Sequence, residues 1–473
     1  MGRSIRVDED RVRRLAGYLD EQQRWRQGNK VLHGYPPPLL WRDREVDMPA
    51  VLDLRRRTAE AAPKKLIVYV GTPYCLPTEP DRCGFCLFPS EVYRNRGQLD
   101  EYLGYLEIEG GMYRDFLVDT PVESVYFGGG TANLYLPDQY SRLLDIVRTV
   151  LPPASSEPPF AREVTLEGVP QLFTREKLAA MKDAGVTRIS CGAQQISDEM
   201  IRASGRRQTS EQVFRTIEWC RELGLPCSID LIFGWPRQTL EIMLADLEAV
   251  IATGVGHLTH YELNVAGRSH FALELKDDLP SREENLEMYR AARDLLERAG
   301  YRQTTAYDWE KRDAAISTAY RFEESWHRPL RSTGPGNLSG IDMWGWGFAG
   351  VSCFPGSPAE PGWTVLNHTR VAAYFRDLEA GRFPVERGFH YDQRDLRLNV
   401  LFQMLHSMTV SLGEYRRIFG LDLSEHHDDI WAALERRGWV EVTDDQIRLV
   451  GDGVFHTPLI QSLLARTEDH MPA

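Results

Sequence analysis

From Lys65 onward, short apolar or β-branched runs alternate with longer segments whose apolar residues recur at helical spacing. Residues 66–70 (LIVYV), 124–127 (SVYF), 163–167 (EVTLE), 187–191 (TRISC), 227–233 (CSIDLIF) and 257–263 (HLTHYEL) predict strands. The segments 99–117, 137–150, 174–183, 209–223, 239–252 and 281–299 predict the helices between and after them. Six β-then-α units in a row imply an α/β fold, a parallel sheet with helices outside it. Several strand runs are continuously apolar, as strands covered on both faces must be. In a (β/α) barrel, chemistry sits on the loops after the strands' C-terminal ends, so those loops are the place to look for function.

The flanking segments read differently. Residues 1–62 are arginine-rich and broken by the turn-forming stretch Gly34–Pro38, which predicts an N-terminal helix and an extended arm packed on the β/α segment. The β/α repeats occupy 63–300. Residues 301–393 read as an irregular extension dense in glycine and tryptophan (Trp309, Trp326, Trp344, Trp346, Trp363). In 394–473, helical patterns precede a strand–turn–strand at 438–450, which predicts a small winged-helix-like appendage.

Composition narrows the function classes. The 473 residues carry a net charge of −13, which argues against a dedicated nucleic-acid binder. No run approaches the roughly 18–20 apolar residues of a membrane span, and the N-terminus, charged from the start, lacks the apolar centre of a signal peptide. A cytoplasmic protein is expected. Seven cysteines are odd in number and sparse for a disulfide framework. In a reducing compartment, a tight cysteine cluster means metal or catalysis more often than a crosslink.

One such cluster lies after the first strand: Cys75, seven residues, Cys83, two residues, Cys86. Three thiolates can bind three irons of a four-iron cubane and leave the fourth open to a ligand. A zinc site is the competing reading, although it wants a fourth Cys or His nearby. Three unrelated buried cysteines are the other.

Further polar residues fall at the same end of the predicted sheet. Gly128-Gly129-Gly130-Thr131 offers bare backbone that a ligand can approach closely. Glu163 and Glu167 lie around the end of the third strand, with Gln194 and Arg206 after the fourth. Asp230 interrupts an apolar strand, and a buried carboxylate there needs a partner. Cys191, Cys220 and Cys227 read as small buried hydrophobes, and Cys353 comes after a glycine-rich segment.

In order, LIVYVGTPYC…CGFCLF, SVYFGGGT, EVTLEGVPQLF, GVTRISCGAQQISDEMIRASGRR, SIDLIFGWPRQT and HLTHYEL resemble the consecutive motifs of the oxygen-independent coproporphyrinogen oxidase family of radical S-adenosylmethionine (SAM) enzymes. The resemblance spans about residues 65–465 and continues through GWGFAGVS and Asn367. It implies a partial six-unit (β/α) barrel with a [4Fe-4S] cluster on Cys75, Cys83 and Cys86 and SAM on the open iron. By motif position, Gly129, Gly130, Glu167, Gln194, Arg206 and Asp230 would line SAM, and Phe85 would pack on its adenine. A second SAM, which some members bind, would lie near Thr131, Tyr261 and Asn264. Tyr69, Tyr261 and the histidines are all open candidates for the acid or base that finishes the reaction. An electron donor such as flavodoxin or ferredoxin is implied as a partner.

Three departures bear on function. The family's first cysteine gap is three residues and here it is seven, a closure cost of only about 0.7 kcal/mol. Gly71 stands where the family has a histidine, while Tyr69 is kept. The His-Asn-x-x-Tyr-Trp signature of the heme chaperones is missing, its place taken by GPGNLSGIDMWGWG. The last two departures weaken the porphyrin readings and favour a class C radical SAM methyltransferase or cyclopropanase that uses two SAM molecules on a small, flat substrate. The tryptophan-rich segment could supply a wall, although core is the commoner use of any one tryptophan there. Coproporphyrinogen oxidation and heme carriage remain the alternatives, since a fold alone does not decide function.

Overall fold

The six expected strands pair side by side: β1 (Lys64–Thr72), β2 (Val122–Gly129), β3 (Glu163–Gly168), β4 (Arg188–Gln194), β5 (Cys227–Phe233) and β6 (His257–Glu262), all parallel and in chain order. The computed structural model describes residues 8–26, 34–117, 119–151, 161–265, 267, 269–314, 320–334 and 337–467. The first seven residues of the expected arm, the last six of the C-terminal segment and Pro335-Gly336 of GPGNLSG lie outside them.

The helices between and after these strands are Arg96–Leu117, Pro137–Val150, Arg175–Ala184, Ser210–Leu223, Leu240–Ala252 and Arg282–Arg298. Their ends are set by local chemistry. Thr174, Thr209, Thr239 and Ser281 cap orphan N–H groups at four N-termini. Gly185 and Gly224 take left-handed conformations at two C-termini. Every residue of β4 and β5 is buried, which accounts for their unbroken apolar sequence.

The segment 301–393 is not irregular. It contributes β7 (Tyr301–Gln303), β8 (Asp308–Lys311), β9 (Leu330–Gly334), β10 (Asn337–Gly347), β11 (Val351–Gly356), β12 (Pro361–Asn367) and β13 (Val385–His390) to the same sheet. Among the described residues these strands form a mixed 13-stranded sheet in the order β13-β12-β11-β10-β1-β2-β3-β4-β5-β6-β8-β7, with β9 also paired to β10. β10 lies parallel to β1, whereas β11, β12 and β13 add antiparallel strands beyond it.

Glycine disguised these strands as loop. A Cβ on Gly345 would lie 2.2 Å from the backbone nitrogen of Val351, so the glycine is there to let β10 and β11 approach. Trp344 and Trp346 do not form a substrate wall. Both are fully buried, stack at a centroid distance of 4.7 Å, and Trp346 donates to the Leu106 carbonyl of the helix over β1. They are core, as is Trp309.

The C-terminal segment places helices Gln393–His406, Leu412–Phe419, Asp428–Arg436 and Thr457–Thr467 around a three-stranded antiparallel sheet of Thr409–Ser411, Gln446–Leu449 and Val440–Val442. The N-terminal helix Glu9–Gln22 docks here, with Arg11 on Asp429 at 2.9 Å, Arg436 on Glu9 at 2.7 Å and Arg437 on Asp20 at 2.8 Å. No helix among the described residues is long and apolar enough to cross a membrane.

Candidate cofactor site

The loop after β1 is pinned at both ends. Tyr74–Cys75 pairs in parallel with Glu91–Val92, so the chain carrying Cys83 and Cys86 leaves and returns at one point. The seven-residue gap is folded: the Thr78 hydroxyl donates to the Pro80 carbonyl at 2.8 Å and accepts from the Cys83 N–H at 2.9 Å. Arg82, Cys83 and Gly84 all have positive φ, which turns the chain tightly around Cys83. The loop packs on Gly205, where a Cβ would lie 2.3 Å from the Glu79 carbonyl oxygen. The longer gap therefore rests on the residue just before Arg206.

Arg206 is the cation of this site. Its Nε donates to Cys83 Sγ at 3.3 Å, and its Nη1 is fixed by the Gly192 carbonyl at 2.7 Å. Its charge favours the thiolate form of Cys75 and Cys86 as well. Burial pushes Cys86 up to about 11 and raises Cys75, against which the Thr131 hydroxyl, 3.2 Å from Cys75 Sγ, works. Among the described residues, the trio of His, Cys, Asp or Glu ligand atoms lying within 4.8 Å of one another involves none of these sulfurs. A single tetrahedral zinc with Zn–S bonds of about 2.3 Å would hold its sulfurs about 3.8 Å apart. The three sulfurs are not among the ligand atoms gathered that tightly.

The glycine run after β2 is held close to this loop. Gly129 has φ +101°, and a Cβ on Gly130 would meet the Tyr74 carbonyl oxygen at 2.4 Å. Close backbone packing beside Cys75 is sufficient reason for both glycines, before any ligand is considered.

Inside the sheet, Glu167 accepts from the Tyr126 hydroxyl at 3.1 Å. Burial, reinforced by the charge of Asp230, pushes its carboxyl up to about 7. Asp230 has the partner its burial demands: Ser190 donates to it at 3.0 Å, though burial still raises its pKa. Gln194 has φ +67° at the end of β4, and its Oε1 is buried with no hydrogen-bond partner among the described residues; Asn264 Oδ1, after β6, is in the same condition. Buried polar atoms of this kind are costly unless a ligand satisfies them. Gln194 lies two residues beyond the Gly192 carbonyl that fixes Arg206, so its free acceptor fits a polar ligand beside the thiols.

Aromatic side chains complete the enclosure. Phe85 lies 4.9 Å from Trp235 and 6.2 Å from Phe271, with the Arg206 guanidinium 5.6 Å from its ring centre. Tyr69 stacks on Tyr126 at 5.9 Å, and Tyr261 packs edge-on to Tyr307 at 6.0 Å. Burial raises the phenol pKa of both Tyr69 and Tyr261, which favours their protonated form.

Glu163 belongs elsewhere. It is the first residue of β3, at the end opposite Glu167, where its carboxylate accepts from the Arg321 and Phe322 N–H groups. Cys353 is buried against Tyr391 in β11. Tyr126 and Trp235 were not singled out in the sequence. Tyr126 is the register partner of Tyr69 in the β1–β2 pair, a signal that appears only once the two strands are aligned.

Comparison with known proteins agrees with this geometry. The radical SAM superfamily model matches residues 77–250. The oxygen-independent coproporphyrinogen III oxidase of Pseudomonas aeruginosa is 25% identical over 432 residues, 88% of each chain. The heme chaperone HemW of Bacillus subtilis is 30% identical over 239 residues, 50% of this chain and 61% of that protein. The solved coproporphyrinogen III oxidase from Escherichia coli, at 22% identity, superposes with a TM-score of 0.73 over 91% of this chain and 96% of its own, which shows a common fold. The chain belongs to the radical SAM superfamily, within the oxygen-independent coproporphyrinogen III oxidase-like family.

Proposed function

We propose that Cys75, Cys83 and Cys86 hold a [4Fe-4S] cluster whose open iron takes SAM, in a partial (β/α) barrel that directs radical chemistry onto a small organic substrate. One observation carries this reading: three thiols gather around the half-buried Arg206, which is fixed on the Gly192 carbonyl two residues before the unsatisfied Gln194. When bound and reduced, the pair supplies a carbon radical able to remove a hydrogen atom from substrate.

The chain's own residues bind and orient. Arg206 offsets thiolate charge and fixes the Cys83 sulfur. Glu167 and Asp230 offer carboxylate acceptors for ammonium or ribose hydroxyl groups, and Gln194 Oε1 offers one more. Gly129 and Gly130 leave backbone exposed to the ligand, and Phe85, braced by Trp235, offers a flat face to adenine. Thr131, Tyr261 and Asn264 would border a second SAM. Tyr69 and Tyr261, held neutral, donate hydrogen bonds and exclude water.

For the overall reaction, a likeness that runs along nearly the whole chain favours the oxidase reading. In it, hydrogen removal from a propionate side chain precedes loss of carbon dioxide and of one electron to an acceptor. The second reading is methylation or cyclopropanation of an sp² carbon with two SAM molecules. It is favoured by Gly71, where a Cβ would lie 2.3 Å from the Phe348 carbonyl oxygen, so the family's imidazole has no room.

Product analysis separates them. Reduced holoenzyme incubated with SAM and coproporphyrinogen III should release 5′-deoxyadenosine and carbon dioxide under the oxidase reading. No carbon dioxide, but S-adenosylhomocysteine together with 5′-deoxyadenosine on an aromatic acceptor, would support methyl transfer instead. Stoichiometric heme binding without turnover would point to heme carriage and contradict both.

A further inference from the structure

Glu163, Arg188 and His257 are the first residues of β3, β4 and β6, so they mark the end of the parallel sheet opposite the cysteines. The short helix Arg321–Trp326 sits here, its first N–H groups held by Glu163. Glu323 lies in that helix and His327 closes it, four residues and about one turn later, so the two side chains share a face. His406, the last residue of helix Gln393–His406, comes up against them from the C-terminal segment.

The three side chains converge. One ligand atom from each of Glu323, His327 and His406 lies within 4.8 Å of the other two. His327 Nε2 is 3.2 Å from Glu323 Oε1, and the two imidazoles stack at a centroid distance of 4.2 Å and an angle of 20°. Both histidines are 2% exposed, and His327 Nδ1 is buried with no hydrogen-bond partner among the described residues. Beside them Asp308 is oriented by Thr259 and Thr305 at 2.9 and 2.7 Å. Asp308, Glu323 and His327 line a cavity of about 630 Å³.

We propose that Glu323, His327 and His406 bind a divalent transition metal of the zinc type, with an open coordination position facing this cavity. Two imidazoles and one carboxylate are a donor set that suits zinc and its neighbours, and three protein ligands beside a cavity match an open zinc site rather than a closed four-ligand one. Asp308 supplies additional negative charge close to the cation, held by two hydroxyls so that it does not swing away. The ion would also join the helix at the base of the sheet to the C-terminal segment, which otherwise meet here through buried polar side chains. None of this uses the cysteines, so the site is independent of the radical chemistry.

The test uses the anaerobically reconstituted holoenzyme titrated with zinc ions and, separately, with cobalt(II) ions. The site predicts one zinc per chain retained through desalting in addition to the cluster iron. Cobalt in its place should give the intense visible absorption of a four-coordinate site. His327→Ala and His406→Ala should each lose the retained zinc while keeping the wild-type iron content. Glu323→Gln, which preserves shape and guards against a folding failure of the histidine variants, should weaken zinc binding at least about tenfold, the tenfold step being about 1.4 kcal/mol. Cys83→Ala should retain the zinc. The proposal is overturned if wild type retains no zinc beyond its iron, if Glu323→Gln binds zinc as wild type does, or if the zinc disappears with Cys83→Ala.

Discussion

Arg206 reaches across from the loop after β4 to donate a hydrogen bond to the sulfur of Cys83 at 3.3 Å, with its other end fixed on the Gly192 carbonyl. A hydrogen bond and a positive charge at a ligating sulfur both favour the reduced, more negative form of a cluster. Arg206→Met keeps much of the volume and removes both effects. The variant should still load iron, but the cluster's midpoint potential should fall by tens of millivolts, on the order of 1 kcal/mol per electron. An EPR-monitored redox titration checks this; an unchanged potential would mean that the guanidinium does not act on the cluster.

Glu167 gives the ligand-free protein a pH dependence. Burial and Asp230 push its carboxyl from 4.5 up to about 7. Between those values the folded chain holds a proton that the unfolded chain releases, so stability falls as pH rises through that window. The loss should be on the order of 3 kcal/mol. Glu167→Gln should remove this component, flattening the Tm-against-pH curve relative to wild type. If Glu167 accepts from the ammonium of SAM, wild-type SAM affinity should rise over the same interval and that of the variant should not.

Asn367 has a structural task. Its amide donates to Glu109 at 2.7 Å and to the Gly347 carbonyl at 2.9 Å, while Glu109 also accepts from the Gly347 N–H at 2.8 Å and from the Tyr374 hydroxyl. This buried knot ties β10 and β12 to the helix over β1. Asn367→Ala removes one of the three donors to the buried Glu109 carboxyl and leaves the Gly347 carbonyl without its side-chain partner, and should cost about 2–3 kcal/mol in chemical denaturation. Iron loading per folded chain should be unaffected.

Gly71 offers a steric test of the departure from the family pattern. Restoring the histidine by Gly71→His places a Cβ against the Phe348 carbonyl. The variant should lose at least about 2–3 kcal/mol of stability, as overpacked buried sites do. A variant as stable as wild type would show that the Phe348 loop yields, and would weaken the case for methyl transfer drawn from this position.

The repeat of strand and helix was legible because strands buried on both faces leave continuous apolar runs, as in CSIDLIF, and because Thr209 and Gly224 mark the ends of the helix before that strand. The added strands were not, because Gly345 and Gly347 serve close packing in β10 while reading as loop. Trp344 and Trp346 are core, the commoner use of a tryptophan, but composition alone does not say which face of a strand is covered. At the site, the cysteines and Arg206 were visible as chemistry-bearing residues after strand ends. Tyr126 was not, since its role comes from lying opposite Tyr69 across two strands. The pairing of His327 with His406 joins residues far apart in the chain, and no local pattern announces it.

Metal and product analysis of one sample tests the cluster assignment most directly. Anaerobically reconstituted protein should hold about four irons per chain and, once reduced, convert SAM to 5′-deoxyadenosine, with both properties lost in Cys83→Ala. Protein that takes up zinc but no iron at Cys75, Cys83 and Cys86, and leaves SAM intact under reduction, would contradict it.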